Sequence, residues 1–468
     1  MANILKDKMK ILNIGSNIFQ EDYNIQNIQY VQVDWKPSNI KPETLNALEI
    51  LEKNIDKINK ANEEFISKIN SASPVLIDIK PAIDAIPNME KNLILHAGPP
   101  IKFEDMAGPM KGAVLGALVF EELASNLEEA EKLALSGKIK FAPCNDYSTV
   151  GPMAGIVSAS MPVHIILNKT NGNKAFCTVN EGLGKVLRFG ANDESVLNRL
   201  RWIRDEFAPT LSKVLQKTGE IDIKSIITQA LQMGDECHNR NKAATSLFIR
   251  EIAEEFFNLE DKEKAKKALS FIIKNDHYFL NLSMPSAKAS LDSVNDIKYS
   301  SVVSVMSRNG VNFGMKLSGL GPDKWFQGPA EPIEGLLFAG YTKDDCCADL
   351  GDSAITETYG IGGFAMAAAP AIVSFVGGTV KDAINFSNSM HTITAGESAM
   401  YNIPTLNFKP TALGINIMAV IETGIRPVIN TGIAHKEPGI GQVGAGITHP
   451  PMSVFEDIII EFAKEFKN

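Results

Sequence analysis

Residues Met233–Asn241, MGDECHNRN, set one His, one Arg, two acids, two amides and a thiol in nine positions between two apolar segments. Two readings stand for this stretch. In the local one, Gly234 ends a helix and Asp235 N-caps the next, which needs no function. In the chemical one, Arg240 shares a helical face with Ala244 and Leu247, so its guanidinium turns toward the core and requires an acid or a bound anion there. Asp235 and His238, three apart, share another face and can act as orienter and base, and Asn239 adds an amide donor. Cys237 and His238 are neighbours whose side chains diverge, and no C-x-x-C or H-E-x-x-H spacing occurs, so no metal site is expected.

Three other stretches set cations beside glycines, where backbone N–H groups approach an anion closely. Asn180–Gly190 offers Lys185 and Arg188, Ser307–Gly314 offers Arg308 and Asn309, and Asn430–Gly446 offers His435 and Lys436. In a chain of net charge -9 these point to a shared pocket for small anions. A fourth stretch, GDSAITET, sets Asp352, Ser353, Thr356 and Glu357 ahead of an uncharged Gly/Ala run. It reads either as a phosphate or carboxylate cradle at a helix start or as a capped helix in a tight core.

The elements that must hold these residues divide the 468-residue chain into three α/β and helical parts. Residues 1–190 read as an N-terminal Rossmann-like α/β domain. It opens as βαβ, with strand Ile11–Ile14, Gly15, a short helical piece and strand Tyr30–Val33 ending in Asp34. Gly15 stands alone where a dinucleotide fingerprint has three glycines, so no nicotinamide site and no cofactor are expected. Pro42–Asn70 reads as one long amphipathic helix, followed by strands in PVLIDI and NLILHAGPPI. Residues 191–276 form a helical region by period, with Ile223, Ile226, Ile227, Ala230 and Leu231 in one stripe. Residues 277–468 read as a Gly-rich C-terminal α/β domain that ends in a helix from Pro451 to Phe466. Within it, YSSVVSVMSRNGVNFGMKLSG and GINIMAVIETGIRPVINTGIAHK read as strands. Tyr359–Val380 carries no charge over a length able to span a membrane, yet its glycines and Pro370 favour a buried Gly/Ala helix.

With 22% charged and 44% hydrophobic residues and an acidic balance, the chain reads as an ordinary globular protein. It lacks the overall basic charge that nucleic acid or an anionic membrane surface demands. Five cysteines, two of them adjacent at Cys346 and Cys347, form no disulfide framework, and MANILKDKMKILNIGS shows no export signal, so a cytoplasmic location is expected.

The blocks VQVDWKP, LHAGPPI, VGPMAGI, NEGLGKVLRFGAND, MGDECHNRN, GDSAITET and INTGIAHK with GQVGAGI resemble the signature blocks of a bacterial family, the AllG/YlbE-like family, across nearly the whole chain. The resemblance implies a subunit of a three-part oxamate carbamoyltransferase in anaerobic allantoin and purine catabolism, with an FdrA-like protein and a third subunit as partners and a homo-oligomer also allowed. The implied reaction is attack of phosphate on the carbamoyl carbon of oxalurate, giving oxamate and carbamoyl phosphate. Such chemistry needs cationic or hydroxyl cradles, for which Arg188, Arg240, Arg308, Lys436, Ser353 and Thr356 are candidates. It needs a donor to the carbamoyl oxygen, Asn309 or Asn239, and a proton for the leaving nitrogen, from His238 or His435. The Ser-Thr-Arg-Thr phosphate loop of the well-known carbamoyltransferases is absent, so a chain of this kind uses another fold. Two further functions fit the same residues. One is an acyl-phosphate or acyl-CoA ligase-like enzyme working through a phosphohistidine at His96 or His435, and the other is a non-catalytic scaffold of an FdrA-like complex.

Overall fold

In the computed structural model, which describes residues 10–33 and 40–466, the expected βαβ opening is present. Strands β1 (Lys10–Ile14) and β2 (Gln29–Val33) pair in parallel, with the helix Gln20–Ile25 between them in sequence. Asp34, expected at the end of β2, lies outside the described residues. The chain divides into two compact units between Asn46 and Ala47. The long helix expected over 42–70 is broken in two, Pro42–Glu52 and Ile55–Ser71. At the break Asn54 turns its side-chain amide back to the Ile50 carbonyl at 2.9 Å, competing with the helix ladder.

In the larger unit, β3 (Pro74–Pro81) precedes a parallel pair, β4 (Leu93–His96) and β5 (Lys140–Pro143). Strands β6 (Pro162–Asn168), β7 (Lys174–Thr178) and β8 (Ile221–Asp222) complete an antiparallel sheet with β3, in the order β7-β6-β3-β8. Residues 194–275 are mostly helical as their period predicts, in helices Glu194–Trp202, Ala208–Thr218, Ile223–Gln232, Lys242–Phe257 and Lys262–Ile273, interrupted by β8 and by the 233–241 loop. The stripe of Ile223, Ile226, Ile227, Ala230 and Leu231 is buried in one core with Leu211, Phe248 and Tyr278. Each large aliphatic side chain so buried contributes roughly 1.5–3 kcal/mol. Behind this core the helix Leu280–Asp292, buried over nearly its whole length, packs on β6 and β7.

Strands β9 (Val303–Asn309) and β10 (Asn312–Leu317), expected as strands, pair antiparallel as a hairpin. With β11 (Phe326–Pro329), β12 (Glu334–Leu337) and β13 (Leu350–Gly351) now placed, the hairpin sheet runs β11-β10-β9-β13. An antiparallel ribbon of β14 (Thr394–Ile403) and β15 (Lys409–Ile415) follows, and β16 (Ile429–Ala434) and β17 (Gln442–Thr448) join β12 in the order β12-β17-β16. Two stretches differ from their sequence reading. Between β15 and β16, Ile417–Thr423 is a helix rather than a strand, because the Asn416 side chain caps Met418 N–H and Gly424 closes the end in the left-handed region. Tyr359–Val380 is buried over its first eleven residues, yet it runs as short turns, Gly362–Ala368 and Pro370–Ile372, before Val373–Val376, since Gly360, Gly362 and Pro370 interrupt any continuous helix. Among the described residues, no helix is long and apolar enough to cross a membrane.

Candidate functional site

The 233–241 loop owes its shape to its own acids. Gly234, at φ 82°, reverses the chain after the helix Ile223–Gln232. Asp235 then reaches forward: its Oδ2 accepts from Ala243 N–H at 2.7 Å and Ala244 N–H at 3.1 Å, capping the helix Lys242–Phe257 from outside. The expected Asp235–His238 pair is therefore replaced by a cap. Glu236, wholly buried, binds the backbone N–H of His238 at 2.9 Å and of Arg240 at 2.6 Å. Burial, with the charges of Asp235 and Glu357 adding to it, pushes its carboxyl up to about 8.

His238 finds its acid elsewhere. Its Nδ1 lies 2.7 Å from Glu357 Oε1, and both side chains are buried. Glu357 is held in turn by Gly363 N–H at 2.8 Å and Thr356 Oγ1 at 2.9 Å. Gly362 is required at this crossing, because a Cβ there would stand 2.4 Å from Glu357 Oε1 and 3.1 Å from the His238 Cβ, at a φ of +62°. The contact fixes the imidazole and leaves Nε2 on the far edge of the ring.

Next to this loop opens a cavity of about 550 Å³, the size of a small-molecule site. Arg240, Asn239, Lys242, His277, Gln442, Phe338 and Phe375 are among the residues that line it. Two donors on the loop side, Arg240 Nε and Asn239 Nδ2, are buried without any hydrogen-bond partner. Native proteins rarely leave such donors unpaired, which makes this wall a candidate site for an acceptor. His277 is held well below the usual histidine range, at about 4, first by burial and then by the charge of Arg188, with His238 adding a smaller push. It therefore presents a neutral ring to the cavity at neutral pH. Arg188 stands behind it, lining a smaller cavity of about 30 Å³ with Glu181 and Asn281. Its Nη2 donates to Gly182 O at 2.7 Å, its Nε is unpartnered, and burial lowers its pKa to about 10.

The remaining sequence candidates lie elsewhere. Arg308 is wholly buried and fully engaged: it forks onto Asp349 at 2.6 and 2.9 Å and donates to Gly351 O at 2.7 Å and Thr431 Oγ1 at 3.2 Å. The expectation of a free guanidinium is corrected here, since an acid 41 residues away has taken it. Asn309 binds the N–H groups of Val311 and Asn312 through Oδ1 and Pro99 O through Nδ2, so it pins the β9–β10 turn rather than facing a ligand. Ser353 Oγ lies 3.4 Å from Arg308, and Thr356 Oγ1 bridges Ser353 O and Glu357, so neither hydroxyl forms an open cradle. His435 accepts Glu437 N–H on Nδ1 and stands edge-on to Tyr341, while Lys436 is exposed; neither lines the Arg240 cavity. Sequence reasoning passed over Glu236 and His277 as site residues and saw Glu357 only as part of a cradle. The one local signal was Asp276-His277 closing the helical region just ahead of the buried Tyr278-Phe279 pair.

The family model described as oxamate carbamoyltransferase subunit AllG matches residues 139–353, which contain Arg188, the 233–241 loop and His277. A protein of Escherichia coli (strain K12) named oxamate carbamoyltransferase subunit AllG is 43% identical over 411 residues, 87% of this chain and 98% of that one. The chain belongs to the AllG family. Another Escherichia coli (strain K12) protein, the uncharacterized YahG, is 46% identical over 468 residues and 99% of both chains. The crystal structure of a conserved protein of unknown function from Enterococcus faecalis V583 superimposes with a TM-score of 0.87 at 48% identity, over 88% of this chain and 99% of that one.

Proposed function

We propose that this chain is a catalytic subunit of an oxamate carbamoyltransferase-type complex and that the Arg240 cavity holds its small anionic substrates. The observation that carries the reading is the pair of buried, unpartnered donors, Arg240 Nε and Asn239 Nδ2, on the wall of a cavity of about 550 Å³. Kinship with an AllG-named subunit supports the reaction class. In the forward direction a phosphate oxygen attacks the carbamoyl carbon of oxalurate, the bond from that carbon to the oxamate nitrogen breaks, and the nitrogen takes a proton. Oxamate and carbamoyl phosphate leave. Arg240 and Asn239 bind the phosphate or the substrate carboxylate, with charge-assisted hydrogen bonds that a guanidinium makes well. Neutral His277 orients the substrate, the Arg188 charge behind it favours anions, and His238, buried behind the lining next to Asn239 and steadied by Glu357, supplies the proton for the leaving nitrogen from outside the cavity wall.

On this reading the chain works in the cytoplasm with an FdrA-like partner and a third subunit. The test is reconstitution with those partners and measurement of phosphate-dependent oxamate release from oxalurate. Arg240→Ala is expected to abolish release while the variant stays folded. Full turnover in that variant removes the cavity from the mechanism.

A further inference from the structure

A second cavity, of about 530 Å³, opens beside the first, and Leu183, exposed between Gly182 and Gly184, lines both. Two helices supply much of its wall. Lys267, Ser270, Phe271 and Lys274 recur at helical spacing along the helix Lys262–Ile273 and its C-cap, so they share one face. Arg199 and Trp202, three apart on the helix Glu194–Trp202, also line the cavity. Direct contacts join the two helices: the rings of Trp202 and Phe271 meet edge-on at 5.3 Å between centroids, and Lys267 Nζ lies 4.8 Å from the Trp202 ring centre. Arg199 Nη1 donates to the Lys185 carbonyl oxygen at 3.1 Å, which ties this wall to the loop that carries Leu183.

In a chain of net charge -9, Arg199, Lys267 and Lys274 bring three cations to this one cavity. Glu181 is the carboxylate in the lining, and its oxygens accept from Leu187 N–H at 3.1 Å and Arg188 N–H at 3.3 Å. Lys267 lies 3.6 Å from Glu206 in an exposed pair, the kind that contributes about 0–1 kcal/mol. Among the described residues, neither Arg199 nor Lys274 forms an ion pair. Trp202 Nε1, a donor only, is buried without a hydrogen-bond partner, so the wall adds an unanswered N–H to its charges. A cation is repelled here, and a neutral ligand leaves the charges unanswered. Lys267 and Lys274 stand seven residues apart, roughly 10 Å along the helix. An anion that answers both carries charge over a comparable length, as linked phosphates do. The rings of Trp202 and Phe271 add a flat apolar surface beside the cations.

We infer that this cavity is a second binding site, distinct from the Arg240 cavity, for a diphosphate group. The group comes either as inorganic pyrophosphate or as the tail of a nucleotide whose base packs on Trp202 and Phe271. The inference does not rest on the function proposed for the Arg240 cavity. Pyrophosphate and ADP are the probes, titrated by calorimetry into the full chain and into Arg240→Ala, which disables the first cavity. Saturable binding of pyrophosphate or ADP is expected in both proteins, with inorganic phosphate at least tenfold weaker in Arg240→Ala. ADP tighter than pyrophosphate by about tenfold assigns the nucleotide, and equal affinities assign the inorganic ion. Lys267→Gln with Lys274→Gln, both exposed, is expected to weaken the bound probe at least tenfold with the melting temperature unchanged. Trp202→Phe, which removes the N–H and keeps an aromatic ring, is expected to weaken it about tenfold. If that variant does not fold, the lysine pair decides alone. No saturable binding of either probe, binding lost in Arg240→Ala, or affinity unchanged in the lysine variant would overturn the site.

Discussion

Arg308→Met leaves Asp349 buried and without the fork that holds it at 2.6 and 2.9 Å. It also takes donors from Gly351 O and Thr431 Oγ1. Removing one member of a buried ion pair costs about 3–5 kcal/mol, because the charge left behind has neither partner nor water. Against a total stability of about 5–15 kcal/mol, that loss makes the variant marginal. Replacing both members, as Arg308→Met with Asp349→Leu, removes the stranded charge and is expected to recover most of the loss, to within about 1–2 kcal/mol of the parent. Urea unfolding of the parent, both single variants and the double reads the coupling directly, provided the slope with denaturant stays constant. The refuting result is a single variant that loses under about 1 kcal/mol yet no longer binds phosphate, since Arg308 would then be a ligand contact and not a structural one.

Glu357→Gln keeps the volume but removes the charge that steadies His238. Turnover of the reconstituted complex is expected to fall by about a hundredfold, with the alkaline limb of its pH–rate profile moved to lower pH because the imidazolium loses its counter-charge, and an unchanged profile separates His238 from proton transfer. Glu236 holds its proton in the folded chain up to about pH 8, whereas the unfolded chain releases it near the ordinary carboxyl value of 4.5. A carboxyl raised in this way stabilises most fully below pH 4.5 and loses that contribution as pH rises through 8. Glu236→Gln is therefore expected to flatten the fall of stability across that window by up to about 1.4 kcal/mol per pH unit, read by denaturation at stepped pH. Asp235→Ala uncaps the helix Lys242–Phe257 and is expected to cost about 1–2 kcal/mol with phosphate binding intact, and a loss of binding without destabilisation argues for a direct ligand role.

What was legible in the sequence was mostly local. The stripe from Ile223 to Leu231, the stop at Gly234 and the strands β9 and β10 all follow from period and turn chemistry, which act over a few residues. The cap at Asp235 was legible as a cap, and its rival role as the orienter of His238 was not excluded by spacing alone. What spacing cannot show is which distant acid claims a buried cation or imidazole. Glu357 lies 119 residues from His238 and Asp349 lies 41 from Arg308, and only the fold brings them together. The same limit explains the cation-and-glycine loops. Arg240 and Asn239 reach a cavity with donors unpaired, whereas Arg308 looked equivalent in sequence and is spent on a buried acid. Cap residues were decisive where the reading failed, since Asn416 and Gly424 enclose a helix too short to show a period of its own.

The central claim is that the Arg240 wall binds small anions. Calorimetric titration of the isolated chain with phosphate and with oxamate, run beside Arg240→Ala of matched thermal stability, tests it most directly. Saturable binding in the parent, weakened about a hundredfold or more by Arg240→Ala with no change in melting temperature, is the expected result. Equal affinity in parent and variant, or no binding by a parent chain that is folded, would contradict it.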